Sequence, residues 1–205
     1  MRISIACIMS VGVIASSPLF AQSAADALCP SPGDRTRVAA VYGDGPAPMT
    51  FAAAPQLKLS EAQVAAGMPP GMSVGVAGEH FADVWSSLAG WDHALVLIIK
   101  AGNVFEISSD IVAGEPSSKS KYFNLGHANF SGHLRPDLLG AIYAVRLKGR
   151  EGTVRGVQFF DQAGEGVFAV FLRGEGEEPD EAAIAQFDLT WNRIAEMPRL
   201  CATGP

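Results

Sequence analysis

Between Ala94 and Leu172 the chain leaves the helical repeat and breaks into short apolar runs separated by turns, a pattern that restricts the fold more than any other feature. Ala94 to Ile99 (ALVLII) is continuously apolar, Ala101-Gly102-Asn103 turns, and Val104 to Ile107 returns, which predicts a hairpin. After a polar loop over 113–121, further strands are predicted at Tyr122 to Leu125, Ala141 to Val145, Val154 to Phe160 and Val167 to Leu172. Asp161-Gln162-Ala163-Gly164 makes the tight connection between the last two. Helical stripes bracket this region. Phe81, Val84, Trp85 and Leu88 recur at i, i+3, i+4 and i+7 before Gly90, and Ile184, Phe187, Trp191 and Ile194 form a second stripe that Pro198 ends. A short helix starts at Ser60 with a capping-box spacing to Gln63 and stops at Met68-Pro69-Pro70-Gly71. Strands grouped between helices, rather than alternating with them, predict an α+β domain with large antiparallel sheets and flanking helices.

The two ends read differently from this body. Arg2 followed by the apolar run Ile3 to Ala15 and then Ser16 to Ala21, ending in Leu-x-Ala, has the pattern of a secretory signal over residues 1–21. That run is shorter than the roughly 20 residues a bilayer span needs, so stable membrane insertion is not expected. Residues 22–59, rich in Ala, Pro and Gly without a sustained period, read as an irregular lead-in, leaving 60–205 as the main domain. A signal implies a periplasmic or secreted location. With Cys7 inside the signal, Cys29 and Cys201 remain as an even pair flanking the domain, and one disulfide between them is expected. A lipid-modified Cys29 would want small residues before it, which Asp26-Ala27-Leu28 does not supply.

Charge narrows the partners. The chain carries 15 Lys+Arg against 21 Asp+Glu, a formal net charge of -6, which argues against nucleic acid and against polybasic attachment to anionic lipid. Small anions are not excluded, since one local Arg or Lys can serve them. No G-x-S-x-G elbow, phosphate-binding G-x-x-x-x-G-K-[ST] loop, H-E-x-x-H or C-x-x-C occurs, and no nicotinamide or flavin fingerprint is present. The reading is therefore not that of an enzyme.

Histidine is the residue type left to carry chemistry. His80 and His93 flank the Phe81–Leu88 stripe and read as surface or helix-end residues. His127 and His133 each follow a glycine, in Gly126-His127 and Gly132-His133, which leaves room for a bulky group near the backbone. Their spacing matches no zinc pattern, whereas a neutral imidazole suits iron and haem. Arg135, Arg146, Lys148, Arg150 and Arg155 follow His133 and could meet propionates. Tyr122 or Tyr143 could supply a second ligand, sheet packing being the alternative for both.

The segment from about Met68 to Met197 resembles the HutX/ChuX-like haem-utilisation carriers, relatives of the HemS-type proteins. The resemblance lies in Glu79-His80-Phe81-Ala82-Asp83-Val84-Trp85, Tyr122-Phe123-Asn124-Leu125, Ser131-Gly132-His133-Leu134, Gly140-Ala141-Ile142-Tyr143 and the run from Val157 to Leu172. It implies a HemS-like fold, commonly paired as a homodimer, and haem or a related tetrapyrrole as ligand. His133 matches the family's Gly-His pair. Lys100 stands where family members often carry a haem-binding His, and Arg146 begins a segment that replaces the family's basic, Pro-containing one. The expected haem-binding set is thus His133, His127, Tyr143, Lys100 and Arg146, with His133 on the metal. The expected function is an exported haem carrier of haem uptake and utilisation. The alternative is an exported interaction or structural domain that kept the fold and lost haem.

Overall fold

The computed structural model describes residues 27–43, 45–126, 129–173 and 179–201; the expected signal over 1–21 lies outside them. Nine strands and five helices are present among the described residues. The helices are α1 (Pro32–Val41), α2 (Thr50–Leu57), α3 (Glu61–Gly67), α4 (Phe81–Leu88) and α5 (Glu181–Glu196). The strands are β1 (Ser73–Ala77), β2 (Ala94–Lys100), β3 (Asn103–Ser109), β4 (Glu115–Pro116), β5 (Phe123–Gly126), β6 (Ser131–Leu134), β7 (Leu139–Lys148), β8 (Thr153–Asp161) and β9 (Gly166–Phe171). Six of them make one sheet in the order β1-β7-β8-β9-β2-β3, and β4-β5-β6 make a small second sheet. Neighbours in both sheets are antiparallel. The architecture is α+β, a large antiparallel sheet with flanking helices, as the strand pattern and the resemblance imply.

The continuous apolar runs have a simple cause: the central strands are covered on both faces. On β7, Ile142 and Ala144 join one core while Ala141, Tyr143, Val145 and Leu147 join another. On β9, Phe168 and Val170 face the first core and Ala169 and Phe171 the second. The first core is roofed by α4, α5 and the small sheet. Trp85 stands at its centre, with ring centroids 6.2 Å from Phe123, Phe159 and Phe168, and its indole N–H donates to the Val112 carbonyl at 3.0 Å. Phe159 and Phe168 stack at 4.3 Å across the β8–β9 pair.

The second core corrects the reading of 22–59. That stretch is not irregular: α1 and α2 form there and pack, with α3, onto the far face of the large sheet through Val38, Tyr42, Ala53, Ala54 and Leu57. Ser31 caps α1 in a capping box with Asp34, and Pro32 occupies its first turn. Helix α2 tolerates Pro55 in its second half and ends on Lys58 at positive φ. Both helices hide from a periodicity search because they bury few large side chains; tertiary contact holds them. The described residues before 60 thus pack, with α3, on the large sheet that holds β7.

The predicted hairpin forms with the tight geometry its register demands. Ala101 (φ 50°) and Gly102 (φ 78°) both occupy the left-handed region, and Lys100 pairs with Asn103. Cys29 and Cys201 are joined by a disulfide with Cα atoms 5.6 Å apart, fastening the start of the described chain to its end. No described helix is long and apolar enough to cross a membrane.

Candidate functional site

The β5–β6 pair builds the site. Alternation sends Phe123, Leu125 and Leu134 inward against the first core, and turns Asn124 and His133 to the outer, solvent-facing side. The register sets Asn124 directly opposite His133. The His133 Nδ1 and the Asn124 Oδ1 lie 2.8 Å apart. An amide oxygen only accepts, so Nδ1 donates in this contact and Nε2 is the ring nitrogen that takes no part in it. A histidine whose second nitrogen is fixed in this way is prepared as a metal ligand.

Around the imidazole sit an aromatic ring and a charged cluster. The Tyr122 ring centroid is 5.7 Å from that of His133, and the Arg135 guanidinium lies 5.6 Å over Tyr122. Arg135 donates twice to Asp137, at 2.7 and 2.9 Å, and Lys121 Nζ approaches the same carboxylate at 3.2 Å. The Arg135 hydrogen bonds, followed by the Lys121 hydrogen bond, hold the Asp137 carboxyl well below the usual carboxylate range, and burial opposes them only in part. Two cations against one anion leave the cluster net positive. Beside it, a cleft of about 460 Å3 is lined by Phe81, Pro116, Tyr122 and Phe123, with Lys121 and the carboxylates of Glu79 and Asp137 at its polar parts. An imidazole donor, an apolar cleft and the Arg135 and Lys121 cations beside it suit a flat apolar ligand with a metal centre and anionic substituents.

The remaining expected residues fall elsewhere. His127 lies outside the described residues. Tyr143 is correctly on β7 but points to the opposite face of the large sheet, 4% exposed in the second core, with its hydroxyl 3.5 Å from Cys201 Sγ. It cannot meet an iron held by His133, because the sheet stands between them. Burial, its largest influence, pushes the Tyr143 hydroxyl well above its ordinary value, which keeps it a neutral donor and not a phenolate ligand. Arg146 is engaged with α5: it donates to Asp188 at 2.9 Å and stacks 4.1 Å over Trp191. Lys100 occupies the exposed end of β2 at the hairpin tip, on the same side of the strand as Val96 and Ile98 of the first core. The structure thus assembles His133 with Tyr122, Asn124, Arg135, Lys121 and Asp137, and with none of Tyr143 or Arg146. Asn124 was legible in part, since a strand over Tyr122 to Leu125 puts Tyr122 and Asn124 on one side; its partner needed the register. Among the described residues no group of three or more His, Cys, Asp or Glu could hold a metal ion, so iron here would depend on His133 and the ligand's own nitrogens.

Comparison with known proteins decides the family. The model for haem utilisation ChuX/HutX matches residues 74–189, more than half of the chain. This chain belongs to the ChuX/HutX haem-utilisation family. It is 28% identical over 156 residues to the intracellular heme transport protein HutX of Vibrio cholerae serotype O1, covering 74% of this chain and 79% of that one. The crystal structure of ChuX superposes with a TM-score of 0.68 at 21% identity, covering 80% of this chain and 99% of that one. ChuS, described as an E. coli heme oxygenase, superposes at 0.63 with 16% identity over 78% of this chain and 48% of that one. At these identities the two structures show the shared fold. The HutX relative also corrects the expected location: a periplasmic or secreted site is contradicted, because that relative is an intracellular protein. The reason lies in the signal itself, since a positive residue ahead of an apolar run describes hydropathy and does not fix how the segment is used.

Proposed function

We propose that this chain is a non-enzymatic haem carrier that binds haem, or a related tetrapyrrole, on the outer face of the β5–β6 pair. The observation that carries the reading is the Asn124–His133 pair, which leaves His133 Nε2 outside that contact and available to coordinate iron. In this reading Tyr122 packs against the macrocycle, and Lys121 and Arg135 hold its propionates. The bound group would supply the iron centre; the protein's part is to bind, orient and release it. Membership of a haem-utilisation family and the HutX relative's name support the ligand class. A homodimer belongs to the same proposal. The edge strand β3, with Val104 and Phe105 each 55% exposed, is compatible with a second copy.

A competing reading, an interaction domain that has lost haem, draws on Lys100 at the position of the family's frequent His and on the burial of Tyr143. Thermal unfolding separates the two. A ligand that binds only the folded state raises Tm with concentration. Hemin should raise the Tm of the wild-type chain and leave that of His133→Ala nearly unmoved. A hemin-independent Tm for wild type would establish the competing reading.

A further inference from the structure

The helices of the second core leave part of their sheet face bare. A shallow groove lies there, lined by Met49 and Phe51 at the start of α2 and by Leu97, Ile99 and Val167 of the paired strands β2 and β9. Phe51 and Val167 are 38% and 40% exposed, and Leu97 and Ile99 are half-buried. The polar side chains that also line it are engaged with one another. Thr50 Oγ1 lies 3.2 Å from Glu61 Oε2 and 3.1 Å from Gln158 Oε1, and Glu61 Oε1 accepts from Gly166 N at 3.1 Å. The groove therefore presents mainly apolar surface, and a contiguous exposed surface of that kind marks a place that something covers.

The described chain begins beside it. The Ala27 carbonyl accepts from Ser60 Oγ at 2.6 Å, and Gly164, in the β8–β9 turn, packs so closely that a Cβ there would lie 2.6 Å from the same carbonyl. Glu61 follows Ser60, and Val167 lies three residues after Gly164, so residue 27 sits at one end of the groove. Ahead of it stands the uncharged apolar run Ile3 to Ala15. The eleven residues between, 16–26, can span up to about 40 Å, several times the roughly 5 Å between neighbouring strands. A chain that stays inside the cell, as the HutX relative does, keeps such a run and gains by burying it. We propose that residues 3–15 of this chain cover the groove, their apolar side chains packed on Phe51, Leu97, Ile99 and Val167.

Cys7 lies within the run and outside the disulfide, so it can be trapped where the run docks. In the full chain carrying Val167→Cys, mild oxidation at low protein concentration should link Cys7 to residue 167 within one chain, as read from non-reduced peptides by mass spectrometry. Leu189→Cys is the control, 69% exposed on α5, which packs on the opposite face of the large sheet. The link should form at least about tenfold faster with Val167→Cys, because a tether alone would let the run sample both positions. Ile8→Asp puts a charge into the run and should bring the two rates within about twofold of each other. Phe51→Cys takes the place of Val167→Cys if that variant fails to fold. Equal rates at the groove and at the control would overturn the proposal. So would products that join only different chains, which would put a second copy in the groove, or a purified chain whose mass shows that it begins at residue 22.

Discussion

Removing the disulfide should cost more than any single core truncation, for a reason that lies in the unfolded chain. Cys29 and Cys201 are 172 residues apart, so the bond closes nearly the whole described chain into one loop. The loop-entropy relation gives about 17 cal/mol/K for a loop of that length, or about 5 kcal/mol at 25 °C. Total stabilities of domains are about 5–15 kcal/mol, so the loss would be a third or more. The perturbation is the double variant Cys29→Ser, Cys201→Ser, followed by urea unfolding with Trp fluorescence as the readout. With a urea m-value of about 2 kcal/mol/M, the midpoint should fall by about 2–3 M. The m-value should also rise, because the released unfolded chain exposes more surface. Wild type measured in a dithiol reductant should reproduce the variant. A midpoint shift below about 0.5 M, with an unchanged m-value, would refute the loop-entropy reasoning.

Four further outcomes follow from particular residues. Asn124→Leu removes the acceptor that fixes the His133 ring and should weaken hemin binding about 10- to 100-fold by spectral titration. Burial, its largest influence, raises the Glu61 carboxyl above its ordinary value, with hydrogen bonds from Gly166 N and Thr50 Oγ1 opposing it. A raised folded-state pKa gives stabilisation that is complete below the unfolded value near 4.3 and is lost as pH rises through the folded one. Glu61→Gln should therefore gain Tm relative to wild type on going from pH 4 to pH 7; a constant difference would contradict it. Gly75→Ala drives a methyl group into the Tyr143 ring and should cost about 1–3 kcal/mol, relieved when combined with Tyr143→Ala in a double-mutant cycle. The Tyr42 hydroxyl is buried without a hydrogen-bond partner among the described residues, so Tyr42→Phe should leave denaturant stability equal or higher.

What the sequence made legible depended on how strongly each element declared itself locally. The β2–β3 hairpin was readable because six apolar residues, a Gly-containing turn and an apolar return coincide in one short stretch. Helix α4 was readable because all four of its stripe residues, Phe81, Val84, Trp85 and Leu88, are buried. Strand β1 escaped notice: Ser73–Ala77 has Gly75 at its centre, and its place is set by pairing with β7 far along the chain. Helices α1 and α2 were missed for a similar reason, although Ser31 and Asp34 offered a capping signal. At the site, the Gly132-His133 pair drew attention to His133 from the sequence, but its partner Asn124 is fixed by cross-strand register. Tyr143 misled because its type suggested a ligand, while the alternation of β7 assigns it to the far core.

The central claim is that His133 supplies the protein's bond to haem iron, and one measurement addresses it directly. Hemin is titrated into wild type and into His133→Gly, and the Soret band is followed before and after adding free imidazole. His133 is exposed, so removing it opens a space that imidazole can enter. The account predicts a saturable Soret shift for wild type, its loss in His133→Gly, and its recovery with imidazole. A His133→Gly spectrum and affinity equal to those of wild type, with no response to imidazole, would contradict it.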